Sequence, residues 1–328
     1  MILKVLITGG TGFIGSHLVE NMVQKGHQVR CLIRKTSDLK WLKNLPIEVT
    51  YGDCIDKSSL AEAVKSVDMV FHLAGLTKAL KEEDYYEVNA FGTKNLLQAC
   101  LTYNPKIQKF IYLSSQAASG PCQNGKKKSE EDPCEPVSPY GKSKRMGEQF
   151  LLDHVKDIHI TIIRPCAVYG PREKDIYAYF KYISKGIKPL FLGGKQRISL
   201  IYVKDIIDGI FLASEANIES GEIFFLSDGE EYELREIGDI ISETMGINTL
   251  SIPVPKSFLW GIAYLSEFFS KITRRPPLIN RGKINELIQI DWLCDITKAK
   301  TKLGFNPKIK LSEGVRLTLE WYKKEKWL

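Results

Sequence analysis

The chain has 328 residues, 44% of them hydrophobic and 26% charged, with a formal net charge of +7. That length suits about two domains, or one large α/β unit with an appended lobe, and the balance excludes a disordered, collagen-like or coiled-coil chain. The one dense basic run, Lys126-Lys127-Lys128, is followed at once by Glu130, Glu131 and Asp132, so no nucleic-acid partner is expected.

Short apolar runs read as buried strands at 4–8, 28–33, 48–51, 69–73, 109–113 and 159–163. Helical spacing lies between them, as in Ile14, Leu18 and Met22, in Leu60 and Val64, and in Val88, Leu96, Leu97 and Cys100. This alternation means βαβ units and a parallel sheet. The strands are continuously apolar, which fits a sheet covered on both faces. Beyond Pro165 the rhythm breaks at Gly170-Pro171, Gly186, Pro189 and Gly193-Gly194. A strand–helix pair returns at 199–203 and 205–214, followed by a strand at 223–226 and a helix at 234–245. Residues 1–165 therefore read as one domain, to which the chain returns around 199–216, and residues 166–328 mainly as a smaller lobe.

Seven cysteines, an odd number without a C-x-x-C pair, argue against a disulfide framework or a metal site and for a reducing compartment. The apolar start lacks a basic n-region and runs into glycines. No run reaches the roughly 18 apolar residues that span a bilayer. The expectation is a cytoplasmic protein. Residues 258–275 carry Phe258, Leu259, Trp260, Tyr264, Leu265, Phe268 and Phe269, then Lys271, Arg274 and Arg275. They read first as a lobe helix packed on the core. A peripheral membrane contact, with the basic residues at the headgroups, is the alternative.

Thr8-Gly9-Gly10-Thr11-Gly12-Phe13-Ile14-Gly15 follows the first strand and opens the first helix. Glycines at 9, 12 and 15 suit a tight turn, close approach of a pyrophosphate to backbone N–H groups, and close helix–strand packing. The helix N-terminus then stabilises the phosphate charge. The reading is a Rossmann-type doubly wound α/β sheet that binds a dinucleotide. The second strand should end in an acid if it holds the 2′-hydroxyl of NAD. It ends instead in Arg34 and Lys35, which favours the 2′-phosphate of NADP. Asp53, after the third strand, either accepts from the adenine amino group or only caps a turn.

Tyr140 and Lys144 are spaced i, i+4 behind Pro139, on one face of a helix. A phenol with its usual pKa of about 10 trades its proton poorly near neutral pH. A lysine one turn away and an oxidised nicotinamide are expected to lower it by about 3 units, roughly 4 kcal/mol. Ser114 and Ser115 end the strand at 109–113, at the edge where open α/β sheets bind ligands. Ser115 is the candidate to hold a substrate oxygen beside the phenol. Ser114 either joins it or caps the strand end.

Together these residues resemble the extended short-chain dehydrogenase/reductase family, the NAD-dependent epimerase/dehydratase group, over almost the whole chain. The matching segments include Phe71-His72-Leu73-Ala74-Gly75, Asn89 to Leu97, Arg164-Pro165, Val168-Tyr169-Gly170-Pro171 and Lys302 to Pro307. The resemblance implies that Tyr140 is the general acid/base, that Lys144 holds the nicotinamide ribose and tunes Tyr140, and that Ser115 is their hydroxyl partner. It implies that Gly9, Gly12, Phe13, Ile14, Gly15, Arg34, Asp53, Cys54, Leu73, Ala74, Gly75, Asn89, Ser114, Pro165 and Val168 line the cofactor. The implied chemistry is hydride transfer between nicotinamide and a secondary alcohol or ketone. A homodimer through helices at 92–100 and 140–152 is implied as well.

Two departures bear on the substrate. Nucleotide-sugar members carry V-Y-G after the serine, where this chain has Ala118-Ser119-Gly120-Pro121. They carry a diphosphate-binding arginine where this chain has Ile198, with Arg197 one place early. A one-residue shift on a strand reverses a side chain's direction. Residues 115–121 and Pro276-Pro277-Leu278 look more like the branch of 3β-hydroxysteroid dehydrogenases and dihydroflavonol reductases. The expected substrate is a small molecule, favoured to be a hydrophobic carbonyl compound reduced with NADP(H). The alternative is a nucleotide-sugar epimerase or dehydratase with tightly bound NAD. A non-catalytic dinucleotide sensor fits poorly with intact Ser115, Tyr140 and Lys144.

Overall fold

A computed structural model describes residues 2–273, 276, 277 and 279–328. Arg274, Arg275 and Leu278, and the side chain of Lys271, lie outside the described residues. β1 (Lys4–Thr8), β2 (Gln28–Ile33), β3 (Ile47–Tyr51), β4 (Met69–His72), β5 (Lys109–Leu113) and β6 (Ile160–Pro165) join Glu222–Leu226 in one sheet. All neighbouring pairs are parallel, in the order Glu222–Leu226, β6, β5, β4, β1, β2, β3. Strand order reverses between β1 and β4, which opens a crevice at their carboxyl ends.

The continuous apolar strands have the expected cause. Val5 and Ile7 of β1 enter one buried cluster while Leu6 enters another across the sheet. Phe110 and Tyr112 of β5 likewise face away from Ile111 and Leu113. The chain's return to the sheet runs past residue 216, because Glu222–Leu226 supplies the seventh strand. Pairing with that strand also carries β6 on to Pro165, beyond the expected end at 163. The expected helix at 205–214 starts earlier, at Val203, directly after the strand Leu200–Tyr202. Before the helix Gly92–Tyr103 lies a wide π-type turn, Tyr86–Phe91, that holds Asn89; such turns recur at functional sites.

The helix Lys256–Thr273 corrects an expectation. It packs through Leu259 and Ala263 on Ile284, in a small satellite cluster apart from the main core. Phe191, Val254 and Trp260 border that cluster. The helix's other face is exposed.

A buried ion pair ties the helix Pro139–Leu152 to the sheet. Glu148 accepts from Arg164 Nε at 2.8 Å and Nη2 at 2.7 Å, from Ser114 Oγ at 2.6 Å and from Arg145 Nη1 at 2.9 Å. Burial alone would raise its carboxyl, but the hydrogen bonds and charge of Arg164 and its other donors hold it below the ordinary value. Removing one partner leaves an uncompensated buried charge, so Glu148→Ala is expected to cost about 3–5 kcal/mol in urea unfolding. A change within about 0.5 kcal/mol, the range of surface substitutions, would contradict this role.

Candidate active site

The glycine loop after β1 is built for close approach. Gly9 has φ +72°, and a Cβ there would lie 2.6 Å from the Ala74 nitrogen. A Cβ on Gly15 would lie 2.1 Å from the Gly9 carbonyl oxygen. Neither space admits another residue. Gly12 caps the helix Phe13–Gln24 with no side-chain hydrogen bond, and the first turn carries no acid. Its leading N–H groups are therefore open to an anion. Phe13 and Ile14 pack partly buried on the core and aim this helix end. Arg172 Nη1 donates to Ser16 Oγ at 2.9 Å and braces the same turn. This cradle fits the pyrophosphate of a dinucleotide.

The flanks of the crevice continue the fit. Arg34 is exposed after β2, and its guanidinium forms no ion pair or hydrogen bond among the described residues. Asp53 Oδ1 accepts from Ile55 N at 3.2 Å, so the carboxylate does cap its own turn. Cys54 is buried beside it. Ala74 N donates to Thr8 Oγ1 at 3.2 Å, and Leu73 N donates to the Thr8 carbonyl at 3.1 Å. Asn89 donates through Nδ2 to the Leu76 carbonyl at 3.0 Å and to Ser143 Oγ at 2.9 Å. Its Oδ1 receives Leu76 N at 2.7 Å. A Cβ on Gly75 would lie 3.0 Å from that same Oδ1 and 3.8 Å from Lys144 Nζ. Pro165 is buried and Val168 half-buried on the far wall.

Ser138 caps the helix Pro139–Leu152 by accepting from Gly141 N at 3.0 Å, with Pro139 in the first turn. The helix brings Tyr140 beside Ser115, whose hydroxyl acts to lower the phenol. Ser115 Oγ also accepts from Ala117 N at 3.1 Å, which fixes its rotamer. Lys144 is buried; its Nζ donates to the Leu113 carbonyl at 2.7 Å and lies 4.2 Å from the Tyr112 ring centroid. Burial pulls the Lys144 ammonium down to about 7, opposed by the charge of Glu148.

The chain's own side chains do not by themselves lower the phenol. Burial pushes Tyr140 up to about 12, only partly opposed by the Ser115 hydroxyl. Lys144 does not act on the phenol here, because its ammonium points at Leu113 and Tyr112. Ser114 takes the strand-end role, since its hydroxyl is committed to Glu148.

Several neighbours were not singled out in the sequence. Tyr85 meets Tyr140 edge-on with centroids 6.2 Å apart. Glu286 accepts from Ser138 Oγ at 2.6 Å, and its charge raises the phenol while Lys283 lowers it. These residues come from distant segments, and no local spacing joins them to Tyr140. His72 bridges Thr8 Oγ1 at 2.7 Å and Thr93 Oγ1 at 2.9 Å. Burial and the nearby Lys144 hold it down to about 3, so it is neutral. Glu148 did leave a signal: it lies one turn beyond Lys144 on the face that carries Tyr140.

The NAD dependent epimerase/dehydratase family model matches residues 5–226. A ceramide reductase of Caulobacter vibrioides is 28% identical over 99% of this chain and 96% of its own. A putative UDP-glucose 4-epimerase of Methanocaldococcus jannaschii is also 28% identical, over 97% of this chain and 98% of its own. The solved UDP-glucose 4-epimerase of Thermotoga maritima shares the fold, with a TM-score of 0.82 and 24% identity over 99% of this chain and 100% of that one. The chain belongs to the NAD dependent epimerase/dehydratase family, and it is an enzyme that uses NAD(P).

The site yields two expectations. Tyr140→Phe should lower turnover about 10²–10⁴-fold, the usual weight of a general acid/base, while cofactor titration stays close to wild type; undiminished turnover would remove Tyr140 from its role. Lys144 titrates near 7 when folded and near 10.5 as a free side chain. The unfolded chain therefore binds more protons between those values, so stability rises with pH across that window. Wild type should gain thermal stability relative to Lys144→Met over that range; a pH-independent difference would contradict the shift.

Proposed function

We propose that this member of the NAD dependent epimerase/dehydratase family is an NADP(H)-preferring oxidoreductase. It moves a hydride between nicotinamide and a secondary alcohol or ketone of low polarity. The observation that carries the choice of substrate is Arg197. Its Nε and Nη2 donate to the two carboxylate oxygens of Asp291 at 2.8 Å each, and Nη1 donates to Glu231 at 3.2 Å. An arginine committed to two carboxylates is not free to hold a sugar-nucleotide diphosphate, and the next residue is the apolar Ile198. A ceramide reductase among the relatives supports the same reading.

Bound nicotinamide supplies the hydride in the reducing direction. Ser115 and Tyr140 hydrogen-bond the substrate carbonyl oxygen, and Tyr140, which keeps its proton through neutral pH, donates it to that oxygen. The product is a secondary alcohol, with one hydride and one proton added. Lys144 sits one turn away, its ammonium held by the Leu113 carbonyl at 2.7 Å, where it would hold the nicotinamide ribose. Gln116, next to Ser115, has a buried Nε2 without a hydrogen-bond partner, a spare donor for a substrate oxygen. The preference for NADP rests on Arg34, which is exposed and, among the described residues, unpaired at the end of β2 where NAD-binding chains place an acid.

A homodimer is proposed through the helices Gly92–Tyr103 and Pro139–Leu152. Phe91, 41% exposed, contacts Phe150 there, and Lys94 covers the Phe150 ring. The seven free cysteines fit the reducing cytoplasm. The second reading, an epimerase or dehydratase that recycles tightly held NAD, is favoured by the equally similar putative epimerase.

The test is to denature the purified protein, identify any released nucleotide by mass spectrometry, and titrate the emptied protein with NADPH and NADH. An empty or NADP-containing site that prefers NADPH is expected. Arg34→Ala should weaken NADPH about 10–100-fold, the loss of one or two hydrogen bonds to a charged group, and leave NADH nearly unchanged. Stoichiometric, tightly held NAD, or an unaltered ratio of the two affinities, would overturn the proposal.

A further inference from the structure

The helix Lys256–Thr273 is apolar on two opposite faces. One face is used: Leu259 and Ala263 are buried on Ile284. The other is bare. Phe258, Tyr264, Leu265, Phe268, Phe269 and Ile272 are each 58–64% exposed and run the length of the helix. A helix apolar on both faces is ordinarily buried on both, and a contiguous aromatic and aliphatic stripe of this length marks an interaction surface.

Charge narrows the occupant. The only acid on the helix, Glu267, is occupied by Arg281, through Arg281 N at 2.8 Å and Nε at 3.0 Å. Lys256, exposed, opens the helix, whereas Arg281 and Lys283 beyond it are already paired with Glu267 and Glu286 at 3.0 Å each. By sequence, Lys271, Arg274 and Arg275 flank Ile272, the last residue of the stripe. A second copy of the chain would bring its own Lys256 and the same basic sequence at 271–275, with no free acid on the helix to answer them. An anionic lipid surface answers those cations. No helix among the described residues is long and apolar enough to cross a membrane, so this one, about 27 Å long at 1.5 Å per residue, would lie in the interface plane.

We propose that the exposed face of Lys256–Thr273 docks the protein on anionic bilayers, with the aromatic and aliphatic side chains in the headgroup–acyl boundary and the basic residues on the phosphates. The docked lobe is also a wall of the catalytic site. Asn280 Nδ2 donates to the Tyr85 hydroxyl at 3.1 Å, and Glu286 accepts from Ser138 at the start of the helix Pro139–Leu152. Docking holds that wall at the lipid surface. The proposal concerns the surface alone and stands apart from the choice of reaction.

The experiment is flotation of the full-length protein with phosphatidylcholine vesicles, with and without 30% phosphatidylglycerol, beside sedimentation velocity without lipid. Wild type should float with the anionic vesicles and less with the neutral ones. The double variant Leu265→Gln/Phe268→Gln should lose at least tenfold in bound fraction, with unchanged sedimentation. Hydrogen exchange on wild type, which needs no variant, should slow in the peptides covering 256–273 when anionic vesicles are added. Wild type that stays unbound, a variant that floats as well as wild type, or unchanged exchange would overturn the proposal. So would a wild-type dimer that the variant breaks, because the face would then mate with a second copy.

Discussion

Glu148 of the helix Pro139–Leu152 is buried against the carboxyl ends of β5 and β6, and four hydrogen bonds from Ser114, Arg145 and Arg164 hold it there. A carboxylate in that position is tolerable only while those donors stay in place. The constraint therefore fixes both the depth and the rotation of the helix Pro139–Leu152. Two turns earlier on the same face stands Tyr140, and one turn earlier Lys144. Their placement follows from helix pitch once Glu148 is anchored. Ser114 anchors the carboxylate while Ser115, its neighbour, turns its hydroxyl to the phenol. One strand end thus serves support and chemistry with adjacent residues.

Burial then sorts the two titratable groups in opposite directions. It penalises whichever form is charged, so the phenol rises to about 12 and the ammonium falls to about 7. A phenol so held keeps its proton at neutral pH. His72, held neutral between two threonines, adds no charge to the crevice floor. On the other side of the switch point, Gly9 and Gly15 allow β1, β4 and the first helix to meet at contacts that any Cβ would break. The glycine loop and Tyr140 come from opposite sides of one crevice.

The sheet was legible because its strands are buried on both faces. Val5, Leu6 and Ile7 leave no ambiguity about an apolar strand, and Gly9, Gly12 and Gly15 have a steric reason to be glycine. Tyr140 and Lys144 were legible through helical spacing, and Ser115 through its place at a strand end. What escaped notice depends on contacts between distant segments. Tyr85, Lys283 and Glu286 reach Tyr140 from remote parts of the chain. Spacing locates Lys144 but not its hydrogen bond to Leu113, which turns the ammonium away from the phenol. The helix Lys256–Thr273 resisted reading for another reason: with apolar residues all round, its periodicity could not say which face the lobe would cover. The seventh strand was recognised as a strand, but its place beside β6 is a matter of topology that local pattern does not carry.

The central claim is a net hydride transfer to a carbonyl carbon, with the proton coming from Tyr140. The most direct measurement gives the purified enzyme NADPH deuterated at the transferable C4 position, together with a panel of hydrophobic ketones, and follows the label by mass spectrometry. The account predicts one deuterium on the carbinol carbon of the alcohol for each NADP+ formed. Epimerisation or dehydration of a nucleotide sugar without net cofactor turnover, and no deuterium in any alcohol, would contradict it.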